Sequence, residues 1–141
     1  MDNPVIQPFV SRLQGKTGIL TGGSSGFGFE MTKAITACGA NLAVFSVDDL
    51  PEAGRKELDG VRRADALFTK KDIMAPGAAD EMVDETMARF GRLDFVIANA
   101  GFAIRFEEPL LEMPAEKIAQ AMRTQFEVFP IAFATLALRQ P

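Results

Sequence analysis

The stretch Thr21-Gly22-Gly23-Ser24-Ser25-Gly26-Phe27-Gly28 constrains this chain more than any other part of it. It stands between a short apolar run, Gly18-Ile19-Leu20, and a segment where Phe27, Met31, Ala34, Ile35 and Cys38 recur at helical spacing until Gly39 stops them. Strand, glycine turn and helix, in that order, form the context a phosphate-cradling loop requires. Gly22 is placed to take the sharp turn off the strand, Gly26 to let backbone approach a pyrophosphate, and Gly28 to allow close packing of helix on strand. Free N–H groups at the helix start would then face the anion. The competing reading is a glycine-rich turn that serves only chain reversal, and the strand and helix on either side weigh against it. Just upstream, Gly15-Lys16-Thr17 imitates the end of a P-loop, but that motif needs glycine where Val10 stands and should follow a strand instead of preceding one. Lys16 is expected to be a solvated residue leading into the first strand.

The remainder alternates in the same way. Leu42 to Phe45 reads as a buried strand, Pro51 to Arg63 as a polar helix weakened by Gly54 and Gly60, and Ala66 to Phe68 as a third strand. Ala79, Met82, Val83, Met87 and Phe90 form an apolar stripe ended by Gly91, and Leu93 to Ala98 is a fourth strand. A further helix is expected from about Ala115, with Ile118, Met122, Phe126 and Phe129 on one side. Alternating strands and helices imply parallel pairing through helical crossovers, hence an α/β, Rossmann-type doubly wound sheet, here partial with about four strands. Ligands of such sheets bind at the carboxyl ends of the strands. No linker or repeat divides residues 1–141, which read as a single dinucleotide-binding unit.

Composition narrows the chemistry. The 141 residues include 48% hydrophobic and 24% charged side chains, enough for a packed core. A net charge of -4 and a pI near 4.9 speak against a nucleic-acid or anionic-membrane surface. No run is long enough to span a bilayer, and with one cysteine, Cys38, and no leader-like start, a reducing cytoplasmic location is expected. There is no His, Tyr or Trp, so a His-based triad, a His metal site and any phenolic acid are excluded.

With these residues in view, the chain resembles the short-chain dehydrogenase/reductase family, whose Thr-Gly-x-x-x-Gly-x-Gly fingerprint matches Thr21, Gly22, Gly26 and Gly28. Lys71-Asp72-Ile73 resembles the family's aspartate segment that meets the adenine ring, and Asn99-Ala100-Gly101 its signature after the fourth strand. The resemblance implies an NAD(P)-binding half of an oxidoreductase that interconverts a carbonyl and an alcohol of a small substrate by hydride transfer. The implied cofactor-binding residues are Thr21, Gly22, Ser24, Ser25, Gly26, Phe27, Gly28, Ser46, Asp72, Ile73, Asn99, Ala100 and Gly101. Asp72 has pure capping as its alternative role, and Asn99 is expected to tie two loops through its amide.

At the end of the second strand, where an acidic residue selects NAD and a basic one NADP, the chain carries Ser46, with Asp48 and Asp49 close behind. A nearby acidic pair repels a 2′-phosphate, which leans the expectation toward NAD, while an exposed turn leading to Pro51 explains the same pair. The family's serine and Tyr-x-x-x-Lys are absent from these residues, so the chain reads as truncated before the catalytic segment and, by itself, as not catalytic. The family's helical asparagine falls in register on Gln125, the only catalytic candidate, for which an ordinary amide role is expected. Pro130 should kink or end that helix, and Phe126 to Leu138, with Phe129, Phe133 and Leu136, is expected to mediate self-association. Arg105, Glu107 and Glu108 are expected to be solvated loop charges. Two alternatives remain: a non-catalytic dinucleotide-binding or interaction module, and one half of a split enzyme.

Overall fold

The computed structural model describes residues 7–101 and 109–126. Four parallel strands, β1 (Thr17–Thr21), β2 (Asn41–Ser46), β3 (Ala66–Lys70) and β4 (Phe95–Ala98), lie in the order β3-β2-β1-β4. Around them run α1 (Gln7–Leu13), α2 (Gly26–Ala37), α3 (Glu52–Val61), α4 (Ala78–Phe90) and α5 (Ala115–Phe126). The chain winds outward through β2 and β3, then returns to place β4 on the other side of β1. The crevice between the carboxyl ends of β1 and β4 is therefore the point where winding reverses.

Two faces of the sheet are covered, and the alternation of side chains shows by what. Ile19, Ala43 and Phe45 meet Met82 and Val83 of α4, while Leu20, Leu42 and Val44 meet Ile35 of α2. That explains the unbroken apolar run of β2, since both faces of a central parallel strand are buried. Phe29 of α2, Leu58 of α3 and Leu50, just before α3, form a third cluster on the α2 side. Gly18 of β1 has no side chain because the Phe95 ring from β4 occupies the place of its Cβ.

The helices fall where expected, yet the buried faces differ from the expected stripes. On α2 the buried residues are Gly28, Phe29, Thr32, Ile35, Thr36 and Ala37, while Ala34 is exposed and Phe27 is 88% exposed. Threonine can line this face because each hydroxyl is satisfied by its own helix: Thr32 lies 3.0 Å from the carbonyl oxygen of Gly28, and Thr36 donates to that of Thr32 at 2.8 Å. On α4 Thr86 replaces Met87 in the buried face by the same device, its hydroxyl donating to the Met82 carbonyl at 2.6 Å. On α5, Ile118 and Met122 are exposed. The short helix α1, with Pro8 in its first turn, was not anticipated because seven residues show no periodic stripe. Lys16 is half-exposed and pairs with Asp94 at 3.3 Å, where only solvation was expected. Among the described residues, no helix is long and apolar enough to cross a membrane.

Candidate functional site

The glycine loop leaves β1 through Gly22, whose φ of +69° and crowding by the Ala100 Cα, 2.9 Å from where a Cβ would stand, admit no side chain. Its N–H donates to the Phe45 carbonyl at 2.8 Å, tying the loop to the end of β2. Gly28, on the first turn of α2, packs so closely that a Cβ would fall inside the Gly22 carbonyl oxygen. Gly26 is the opposite case: φ is +51° and nothing lies within 4 Å of its Cβ position, so open space adjoins backbone at the helix start. Ser25, the N-cap, makes no side-chain cap hydrogen bond, which leaves the first helical N–H groups available to a bound anion.

The loop borders a cleft of about 890 Å³ at the carboxyl ends of the strands. The structure brings Gly22, Ser24, Ser25, Phe27 and Gly28 of the loop to its wall, together with Ser46, Asp72, Ile73, Asn99, Ala100 and Gly101. Of the expected binding residues, Thr21 and Gly26 do not line it. Thr21 is buried, and its hydroxyl oxygen accepts the N–H groups of Asn99 at 3.1 Å and Ala100 at 3.0 Å, which makes it a tie between strand ends.

Asn99 completes that tie, donating from Nδ2 to the carbonyl oxygens of Thr21 at 3.1 Å and Gly22 at 3.2 Å. Ser46, at the end of β2, is 7% exposed, and its Oγ accepts the Ser24 N–H at 3.3 Å. The hydroxyl hydrogen remains for a ligand oxygen. Asp72 is exposed and closes its own turn, with Oδ1 accepting the Met74 N–H at 2.9 Å. The capping contact thus exists, and the residue also faces the cleft. Asp48 lines the cleft, whereas Asp49 pairs with Lys70 at 3.8 Å, and both are exposed.

The wall also contains Phe45, Val47, Lys71 and Met74, and, from α5, Glu116, Gln120 and Arg123. The helix residues are not among those expected from the sequence, although the spacing of 116, 120 and 123 puts them on one polar face of α5. Lys71 has a side chain 13% exposed and reaches Glu81 at 2.8 Å and Glu85 at 2.6 Å. Partial burial opposes its charge, but the hydrogen bonds to Glu81 and Glu85 prevail and raise its pKa above the ordinary lysine value. The Gln125 backbone lies in the last turn of α5, and its side chain lies outside the described residues, as do Arg105, Glu107, Glu108, Phe129, Pro130, Phe133 and Leu136.

Comparison with known proteins agrees with this geometry. The short chain dehydrogenase family profile matches residues 16–137. L-fucose dehydrogenase of Mus musculus is 33% identical over 127 residues, 90% of this chain and 43% of that protein. A short chain dehydrogenase/reductase of Macrophomina phaseolina is 30% identical over 131 residues, 92% of this chain and 73% of the relative. Among solved structures, a short-chain type dehydrogenase/reductase from Mycobacterium marinum superposes with a TM-score of 0.76 at 27% identity, covering 86% of this chain and 49% of that one. A 3-oxoacyl-[acyl-carrier protein] reductase from Brucella melitensis, in complex with NAD, gives a TM-score of 0.75 at 25% identity, covering 88% and 49%. The chain spans 43% of the length of the mouse L-fucose dehydrogenase it matches. With its glycine loop, its strand order and a profile match over residues 16–137, the chain belongs to the short chain dehydrogenase family.

Proposed function

We propose that the cleft binds a nicotinamide dinucleotide and that the protein serves carbonyl–alcohol oxidoreduction on a small substrate. The observation that carries this reading is the start of α2 on the cleft wall, where Ser25 and Gly28 line the cleft and the N-cap makes no side-chain bond. That is where a pyrophosphate meets helix N–H groups and the positive end of the dipole. The bound nicotinamide would supply hydride transfer. Ser24 and Ser25 would offer hydroxyls to the pyrophosphate, Ser46 would offer its hydroxyl to the adenosine ribose, and Asp72 and Ile73 would hold the adenine. Asn99, Ala100 and Gly101 border the opposite end. Thr21 contributes by holding Asn99 and Ala100 in place.

NAD is preferred over NADP in this reading, since Asp48 on the cleft wall repels a 2′-phosphate and no basic residue stands at Ser46 or Ser25. These 141 residues form one cofactor-binding unit, and because they include no Tyr or His, neither a phenol nor an imidazole among them handles the proton of the reaction. Cys38 as the only cysteine fits a reducing, cytoplasmic setting. Calorimetric titration of the purified chain with NADH and NADPH tests the proposal. Saturable binding of NADH tighter than of NADPH is expected, and absence of binding by either overturns it. A second reading, a dinucleotide-binding module without catalysis, is favoured by the missing phenol and imidazole. It prevails if the protein purified from its native source binds NADH stoichiometrically but oxidises no alcohol and reduces no carbonyl.

A further inference from the structure

The turn that follows β3 forms one wall of the cleft, presenting Asp72, Ile73 and Met74. It is closed within itself by the Met74 N–H on Asp72 Oδ1 at 2.9 Å, the Ala75 N–H on the Asp72 carbonyl at 3.2 Å and the Ala78 N–H on the Ala75 carbonyl at 3.0 Å. It ends at Gly77, with φ of +81°, the N-cap of α4. Such a turn is internally stiff, and its orientation to the sheet depends on its anchors. Ile73 packs against the cluster of Ile19, Phe45 and Met82. The other anchor is Lys71. Its N–H donates to the Ser46 carbonyl at 2.8 Å, and its Nζ crosses the base of the turn to Glu81 at 2.8 Å and Glu85 at 2.6 Å.

Glu85 is held in turn by the Thr69 hydroxyl, which donates to Oε2 at 3.0 Å, and the ammonium lies 5.9 Å from the Phe45 ring centroid. One side chain thus joins the ends of β2 and β3 to the first turns of α4. Solvent-exposed ion pairs stabilise a fold very little. A lysine withdrawn from water beside a cleft, with two carboxylate partners and an aromatic face, restricts instead where the turn can sit. Holding a binding wall in its bound shape removes an ordering cost from association.

We propose that Lys71 is a positioning residue that, through Glu81 and Glu85, sets the wall of the cleft that receives the adenosine half of the dinucleotide. The inference rests on the dinucleotide reading above, in which that half lies over the ends of β2 and β3. The test is displacement of NADH fluorescence from the full chain by 5′-AMP and by nicotinamide mononucleotide, in wild type, Lys71→Met, Lys71→Arg and the Glu81→Gln/Glu85→Gln double variant. Lys71→Met should weaken NADH and 5′-AMP about five- to tenfold and leave nicotinamide mononucleotide unchanged. Lys71→Arg should restore most of the loss, and the double glutamine variant should reproduce it even if Lys71→Met fails to fold. Equal loss for both half-ligands marks Lys71 as merely structural and overturns the inference, as does unchanged 5′-AMP binding in a folded Lys71→Met or double variant. A wild type that binds neither NADH nor 5′-AMP overturns the dinucleotide reading and this inference with it.

Discussion

The Asn99 amide donates to the carbonyl oxygens of Thr21 at 3.1 Å and Gly22 at 3.2 Å, so the loop after β4 holds the first bend of the glycine loop after β1. Its nitrogen also lies 2.7 Å from where a Gly28 Cβ would stand, which places loop, strand end and helix start in one contact. Replacing Asn99 by Ala removes both donations and should cost about 1–3 kcal/mol of stability. Asn99→Asp should cost more at neutral pH, because a carboxylate would face carbonyl oxygens. Chemical denaturation of the three proteins checks the order, wild type above Asn99→Ala above Asn99→Asp.

Two glycines of the loop should respond differently to the same methyl group. Gly28→Ala drives a Cβ into the Gly22 carbonyl, backbone against backbone, and is expected to unfold or rebuild the loop. Gly26→Ala meets open space and only the strain of a φ of +51°, about 1–2 kcal/mol. It should remain folded, and because Gly26 does not itself line the cleft, its loss of NADH affinity should be small beside that of Gly28→Ala. Circular dichroism together with NADH titration distinguishes the two variants.

Acid should release the fastening between β1 and the turn into β4. The Arg92 guanidinium hydrogen-bonds the Asp94 carboxylate, which also accepts the Thr17 N–H at 2.8 Å and Lys16 at 3.3 Å, and these contacts outweigh partial burial and lower its pKa to about 2. The folded value lies below the unfolded one, so the stabilisation is complete above about pH 4 and is lost as pH falls toward 2. Asp94→Asn should lower stability at pH 7 by about 1–2 kcal/mol and flatten its dependence on pH below 4. Urea midpoints measured across that range give both quantities.

Thr17 offers the reverse case. It is fully buried at the start of β1, and its Oγ1 is the one buried side-chain oxygen or nitrogen among the described residues without a hydrogen-bond partner. Thr17→Val keeps the shape and removes an unsatisfied hydroxyl, so it should raise stability by up to about 1 kcal/mol. A thermal melt that shifts upward, or stays level, agrees; a clear downward shift refutes the argument.

The succession of strands and helices along the chain and the glycine loop were legible because each rests on local demands. Positive φ at Gly22 and Gly26 calls for glycine wherever the chain goes next, and apolar runs such as Leu42 to Phe45 have few uses besides a strand buried on both faces. The helix ends at Gly39 and Gly91 were legible for the same reason.

The buried faces of α2 and α4 were less legible, because Thr32, Thr36 and Thr86 count as polar until their hydroxyls are satisfied by helix carbonyls. The far wall of the cleft was not legible at all. Glu116, Gln120 and Arg123 read as an ordinary solvated face, and only the placement of α5 over the strand ends makes them part of the site.

The sequence by itself determined where the backbone turns and which segments must be buried, since those follow from conformational freedom and periodicity within a few residues. Tertiary structure alone decided the long-range partners: Asn99 on Thr21 across 78 positions, Asp94 on Thr17 across 77, and the Lys71 ammonium between two carboxylates of the next helix. Hydrogen bonds and ion pairs have no sequence signature because one amide or ammonium serves any acceptor that the fold brings within reach.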